Sequence, residues 1–143
     1  MTTADPADQP LQATATIPNV QTVDPNDLEL HVTITNTSAR PLRFNALHLP
    51  YTTIMMRVVY PDGTRVAPGP PPLPPRDDGE VGRVTLAPGD RLQYLYRGGD
   101  CFSSRLTPGH YRVRFEHENA DDHHGDWTGR LETPWIPFEV LAP

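Results

Sequence analysis

The sequence predicts an all-β protein, specifically an antiparallel Ig-like β-sandwich of about seven to eight strands. Three observations lead to this prediction. Apolar and polar residues alternate with a period of two along several segments; 18 prolines and 10 glycines separate those segments; and no stretch has the apolar spacing of an amphipathic helix. Residues 1–10 are polar and interrupted by proline, so we expect a loose tail there. One domain is predicted over residues 11–143.

The first predicted strands alternate clearly. In LQATATI, from Leu11 to Ile17, the apolar residues share one parity, and LELHVTI, from Leu28, repeats the pattern. Such alternation is typical of a strand with one face in the core and the other in water. NTSARP then supplies a break. In the next segment, PLRFNALHL, the large apolar residues change parity, so we expect a bulge near Ala46.

The second half of the chain continues in the same way. TTIMMRVVY is apolar on both faces and ends in YPDGT, residues 60–64, which predicts a hairpin turn. After a proline-rich loop at 67–80, four further segments have the strand pattern: VGRVTLA, RLQYLYR, LTPGHYRVRFE and WIPFEVL. In the last of them Ile136, Phe138 and Val140 are predicted to face inward. Pro137 takes the outward parity, where an edge strand tolerates proline.

Three stretches carry a resemblance to known families: LHVTITNTSARPLRF, VTLAPGDRLQYLY and LTPGHYRVRFE. They resemble the strands and turns of Ig-like domains in bacterial proteins. Two groups have this pattern: the N-terminal domain of deuterolysin-like, lysine-specific metalloendopeptidases, and the intracellular proteinase inhibitors of the BsuPI type. The resemblance implies an Ig-like fold and makes proteinase inhibition the leading specific function.

Composition argues against several classes of partner. A net charge of -6 disfavours binding to nucleic acid and to anionic membranes. No apolar run approaches the roughly 18 residues that span a bilayer, and MTTADPADQP lacks the features of a signal peptide. The single cysteine, Cys101, cannot form an internal disulfide. A cytoplasmic location is therefore predicted, and the sequon at Asn36 is not expected to be glycosylated.

The proline run has two interpretations. PPPLPPR, residues 70–76, has the form of a polyproline II ligand for an SH3 domain, with a terminal arginine. The favoured interpretation is a stiff connector whose prolines keep it out of the sheets. If the loop binds a partner, it does so as a presented loop, and the residues predicted to make the contacts are Pro72, Leu73, Pro74 and Arg76.

The segment EHENADDHHGDW, residues 116–127, is rich in histidine and carboxylate. Such side chains bind zinc or copper, and the candidate ligands are His117, Asp121, His123 and His124. Because position 121 is Asp, the zinc-protease helix motif is incomplete, and the favoured interpretation is a solvated hairpin loop at 116–126. A third alternative is an enzyme with Cys101 as nucleophile, but the sequence supplies no positioned base. We therefore predict neither catalysis nor a cofactor.

Arginines mark a candidate binding face. All 12 cationic side chains are arginines, and each offers a planar fork of donors. If PLRFN, MMRVV and HYRVRFE are neighbouring strands, as in Ig-like sheets, four arginines point outward together: Arg43, Arg57, Arg112 and Arg114. This face could bind carboxylates of a partner; alternatively, the arginines pair with Glu116 and Glu139. The sequence thus predicts a non-catalytic module that binds another protein, a protease in the leading version, through a sheet face or loops.

Overall fold

The computed structural model describes residues 9–47, 49, 55–67, 82–98, 106–120, 122 and 125–143. In these ranges the chain forms ten strands: β1 (Leu11–Thr16), β2 (Gln21–Thr22), β3 (Glu29–Asn36), β4 (Leu42–Asn45), β5 (Met56–Val59), β6 (Arg83–Leu86), β7 (Arg91–Arg97), β8 (Gly109–Asn119), β9 (Gly129–Glu132) and β10 (Ile136–Val140). One turn of 3-10 helix, Pro25–Asp27, is also present. The prediction of an all-β fold is confirmed. No helix in the described ranges is long and apolar enough to cross a membrane.

The strands form three sheets. β1, β3 and β7 make a three-stranded antiparallel sheet with β3 in the centre. A five-stranded sheet has the order β2–β10–β8–β5, and β9 pairs with the C-terminal part of the long strand β8. In that sheet β2 runs parallel to β10, whereas the other pairs are antiparallel. The remaining strands, β4 and β6, pair with each other.

Alternation directs one face of each sheet into a common core. The inward residues of β3 and β8 are almost fully buried: Leu30, Val32, Ile34, Tyr111, Val113 and Phe115. The rings of Tyr96 on β7 and Phe115 on β8 stack with their centroids 5.9 Å apart, so the three-stranded and five-stranded sheets meet there. Burying such side chains contributes about 1.5–3 kcal/mol each, which fixes the face that every strand turns inward.

A tyrosine near the start of β8 anchors the preceding loop. The Tyr111 hydroxyl donates a hydrogen bond to the backbone carbonyl of Thr107 at 2.7 Å. This bond to a carbonyl four residues upstream has the form of the tyrosine corner found in Ig-like sandwiches. It supports the predicted Ig-like arrangement, which otherwise stays a prediction.

The end of β3 is organised by a fully buried asparagine. Asn36 donates from Nδ2 to the carbonyls of Arg40 and Leu86, at 2.9 and 2.8 Å, and its Oδ1 accepts from the backbone N–H and hydroxyl of Ser38. These bonds shape the NTSAR turn and tie it to β6. Because its side chain is enclosed in this way, Asn36 is not accessible for glycosylation in the folded chain.

The predicted hairpin turn at 60–64 is confirmed. Tyr60 N–H donates to the Thr64 carbonyl at 2.8 Å, and Gly63 N–H donates to the Tyr60 carbonyl at 2.9 Å. Gly63 adopts a φ of 88°, a conformation that glycine reaches without steric cost. The Asp62 carboxylate accepts from the Thr64 backbone N–H, and this bond lowers the pKa of Asp62.

The bulge expected near Ala46 is not found there. β4 pairs regularly with β6 and ends at Asn45, whose side chain accepts from the Leu47 N–H at 3.0 Å. The apolar residues change parity because the strand stops. A one-residue bulge lies elsewhere, between β9 and β10. Glu132, at the end of β9, is opposite Glu116, whereas Ile136, at the start of β10, is opposite Val113. Four steps along one strand therefore match three along β8.

Candidate functional site

The outward side of the five-stranded sheet carries the arginines that the sequence singled out on β5 and β8. Arg57 lies directly opposite Arg114, and Arg112 lies opposite Val59. Trp135, just before β10, lies among them, with its ring centre 4.2 Å from Cζ of Arg114 and 5.7 Å from Cζ of Arg112. Both distances suit a cation–π contact. The structure therefore brings Arg57, Arg112 and Arg114 together on one face, and Trp135 contacts two of them, Arg112 and Arg114.

Arg43 does not belong to this face, and the prediction that it does is wrong. Its strand, β4, pairs with β6 and not with β5 or β8. Arg43 Nε lies 3.4 Å from the Asp126 carboxylate, which also accepts Nε and Nη2 of Arg83 at 3.1 and 3.0 Å. The Asp126 side chain is only 1% exposed. Arg43 is therefore part of a buried ion cluster that holds the segment before β9 against β4, where Trp127 N–H also donates to the Arg43 carbonyl.

Carboxylates neutralise part of the face. Glu116 contacts Nε of Arg57 at 3.3 Å and also contacts Nε of Arg114. Glu132 lies 3.5 Å from Nη2 of Arg114 and 3.1 Å from Nε of Arg130. The expected cross-strand pairing with Glu116 is therefore present. Charge pairing thus accounts for Arg57 and Arg114 without any partner.

The expected pairing of the arginines with Glu139 is not found. The Glu139 carboxylate accepts from Nε2 of Gln21 at 3.0 Å and lies 3.7 Å from Nε2 of His110. None of the arginines of this face contacts it. Glu139 is thus already engaged by its neighbours on β2 and β8.

Arg112 is different from the other arginines of the face. No carboxylate of the described residues forms an ion pair with it, and its Nη2 has only a long hydrogen bond, 3.4 Å, to the Pro61 carbonyl. Its Nε is shielded from solvent and has no hydrogen-bond acceptor in the described part of the chain. A shielded N–H without an acceptor costs about 1–3 kcal/mol. Arg112 is therefore the arginine of this face whose charge no carboxylate in the described part of the chain pairs.

A groove of about 570 Å³ runs across the sheet beside Arg112. Its floor consists of two pairs that lie opposite each other on β10 and β8, Pro137 with Arg112 and Glu139 with His110. Val20, which is 57% exposed, and Pro61 line its sides. The groove thus combines apolar side chains with Glu139 and with Arg112, which has no ion-pair partner among the described residues.

The groove and Trp135 were not singled out from the sequence. One signal was present, because Trp135 has the same parity as Pro137, which was predicted to face outward. The contacts of Trp135 with the arginines depend on the bulge after β9, and this bulge was not foreseen.

The metal site is not supported by the position of its one described ligand. His117 is 8% exposed, and its ring makes an edge contact with Phe44, with centroids 5.6 Å apart. It has the inward parity of β8, which continues to Asn119, so the loop predicted at 116–126 begins as a strand. Among the described residues, no three His, Cys, Asp or Glu side chains are grouped to hold a metal ion.

The other predicted site residues lie outside the described residues: Pro72, Leu73, Pro74, Arg76, Cys101, Asp121, His123 and His124. No protein-family model matches the chain, and no curated protein matches it in sequence. The resemblances to deuterolysin-like and BsuPI-type domains therefore stay predictions.

Proposed function

We propose that this protein is a non-catalytic binding module that docks another protein through its docking face, defined here as Arg112, Arg114, Trp135 and the adjacent groove. The observation that carries the proposal is the partly exposed Trp135 ring between two guanidinium groups. Tryptophan, tyrosine and arginine are the residues most enriched at the energetic centres of protein interfaces. Here Trp135 and the two arginines lie beside a groove whose lining is largely apolar.

The arrangement favours binding for two physical reasons. The Trp135 ring is held against Arg114, so less conformational entropy is lost when a partner covers it. Moreover, the arginines that already pair with Glu116 form a charged rim, whereas Arg112, beside the groove, has no carboxylate partner in the described ranges. An apolar centre with a polar rim is the usual anatomy of an interface.

Proteinase inhibition remains the specific form that the family resemblance implies. It requires an extended loop that enters an active-site cleft. The sequence offers two such loops, the proline-rich loop at 67–80 and the segment RGGDCFSSR, residues 97–105. Both lie almost entirely outside the described residues. A test of the docking face must therefore separate binding by the face from binding by the proline-rich loop.

Affinity capture from a lysate of the native host distinguishes binding by the docking face from binding by the proline-rich loop. The bait is the full chain, compared with Trp135→Ala, with Leu95→Ala and with a variant whose residues 68–76 are a Gly/Ser linker. Leu95 is a matched control, because it is 44% exposed and lies on β7, in the three-stranded sheet. We expect Trp135→Ala to lose a specific partner that the two other variants keep.

The opposite pattern has a clear meaning. A partner lost with the linker variant and kept by Trp135→Ala places binding in the proline-rich loop and contradicts the proposal. Failure of the intact chain to retain any specific protein also contradicts it. Circular dichroism melting of each bait ensures that a loss of binding does not reflect unfolding.

A further inference from the structure

We infer that the groove beside Arg112 takes an extended segment of the partner that presents one Asp or Glu side chain between apolar residues. This inference rests on the proposed function and adds the chemistry of the ligand. It follows from the charges of the groove, the character of its walls and the spacing of its floor.

The charges of the groove select a carboxylate. Glu139 also lines the groove, and its carboxylate already has donors nearby, since it accepts from Nε2 of Gln21 at 3.0 Å and lies 3.7 Å from Nε2 of His110. Arg112 has no carboxylate partner among the described residues, and its Nη2, at an exposed position, has only a 3.4 Å hydrogen bond to the Pro61 carbonyl. A guanidinium matches a carboxylate with two parallel hydrogen bonds, and such charge-assisted bonds are about twice as strong as neutral ones.

The apolar side chains that line the groove favour apolar neighbours for that carboxylate. Val20, Pro61 and Pro137 line the groove, and the two prolines have no backbone N–H to donate. A polar side chain placed against them would lose its hydrogen bonds to water without replacement. Small or branched apolar residues on either side of the acid fit this surface.

The spacing of the floor suits an extended chain. The pairs Pro137–Arg112 and Glu139–His110 are two residues apart along their strands, which is about 7 Å. In an extended segment, side chains two residues apart point the same way with the same spacing. An acidic residue over Arg112 and a side chain two positions away therefore reach both pairs. The volume of about 570 Å³ admits a few residues rather than a folded element.

Selection from a random linear peptide library displayed on phage tests this inference. The full chain is immobilised as wild type, as Arg112→Gln and as Arg130→Gln. Arg130 is a control on the same sheet, exposed and paired with Glu132, away from the groove. We expect wild type and Arg130→Gln to enrich peptides with one acidic residue flanked by apolar ones, and Arg112→Gln to lose the acidic preference.

A second measurement changes the peptide first and the protein afterwards. The best acidic peptide and its copy with Gln in place of the acid are labelled, and their binding to the wild-type chain is followed by fluorescence anisotropy. The copy should bind about tenfold more weakly, since a charge-assisted pair is lost. Arg112→Lys, which keeps the charge but not the fork, should fall between wild type and Arg112→Gln.

Three results would overturn the inference: no enriched peptide, enrichment without acidic residues, or an acidic preference that persists in Arg112→Gln. Each is distinguishable from failure of the proposed function. If capture of a partner still depends on Trp135, the docking face stands and only the acidic ligand is wrong. If the intact chain captures no partner, or if capture does not depend on Trp135, both proposals are wrong.

Discussion

Arg57 and Arg114 lie directly opposite each other on β5 and β8, a position in which like charges destabilise a sheet. The carboxylate of Glu116 contacts Nε of both arginines, at 3.3 Å from Arg57. Its side chain is only 14% exposed, so solvent screens these contacts less than it would on an open surface. Glu116 therefore offsets the repulsion that the two arginines would otherwise exert.

Replacing Glu116 with Gln should lower the free energy of unfolding by about 1 kcal/mol, because the two arginines then repel each other without compensation. Urea denaturation measures the loss, and added salt should recover part of it by screening. Glu132→Gln is the control, since that side chain is 46% exposed and should lose less than about 0.5 kcal/mol. Equal losses in the two variants, or a loss that salt does not change, would show that Glu116 has no such role.

Thr133, which is 2% exposed, lies in the bulge after β9 and connects it to β8 by hydrogen bonds. Its hydroxyl accepts the Phe115 N–H at 3.1 Å, and its own N–H donates to the Phe115 carbonyl at 3.1 Å. Thr133→Val should cost about 1–3 kcal/mol, because the Phe115 N–H loses its buried acceptor. Hydrogen exchange at the Phe115 amide should become faster in this variant and stay slow in Thr133→Ser. Unchanged exchange in Thr133→Val would contradict this account of the bulge.

The turn after β3 depends on Asn36, whose amide makes four hydrogen bonds in the core. Asn36→Ala should lower the free energy of unfolding by at least about 3 kcal/mol, since several buried groups lose their partners together. Ser38→Ala removes one of those partners and should cost about 1 kcal/mol. Chemical denaturation compares the two variants. Similar losses would mean that the turn forms without the Asn36 network.

Tyr96 is expected to make the protein sensitive to alkali. Its hydroxyl is buried without a hydrogen-bond partner among the described residues, and burial, followed by the nearby Tyr94, raises its pKa far above the usual value. In the unfolded chain a tyrosine ionises near pH 10. Below that pH both states hold the proton; above it only the unfolded state releases it, so stability falls as pH rises past about 10.

Tyr96→Phe should reduce this sensitivity, of which a part remains because burial also raises the pKa of Tyr94. The variant should raise the free energy of unfolding at neutral pH by up to about 1 kcal/mol, because it deletes a buried hydroxyl that has no partner in the described ranges. Thermal melts at a series of pH values between about 7 and 11 make the comparison. Tyr94→Phe is the control, since Tyr94 is only partly buried. A variant that is less stable than wild type at neutral pH, or equally sensitive to alkali, would contradict the prediction.

Local patterns were sufficient to predict the longer strands. Alternation marks β3, β7, β8 and β10 because each must bury one face, and the side-chain period of two then fixes which residues face inward. β2 and β9 were not predicted. β2 has two residues and forms through parallel pairing with a distant strand, and GRLE in β9 is too short to display a pattern.

Local patterns likewise predicted only part of the candidate site. Parity alone places Arg57, Arg112 and Arg114 on the outward side, but whether Arg43 joins them depends on which strands pair. Pairing is a non-local property, and β4 pairs with β6 instead. The contact between Trp135 and Arg114 depends on the extra residue after Glu132, which shifts the register of everything that follows.

The central claim is that a partner covers the docking face, and hydroxyl-radical footprinting of the captured complex tests it most directly. Oxidation of Trp135 is compared between the free and bound protein by mass spectrometry. Leu95, exposed on the other sheet, provides an internal control in the same molecule. We predict that binding slows the oxidation of Trp135 several-fold and leaves that of Leu95 unchanged. A complex in which Trp135 is oxidised as fast as in the free protein would contradict the account.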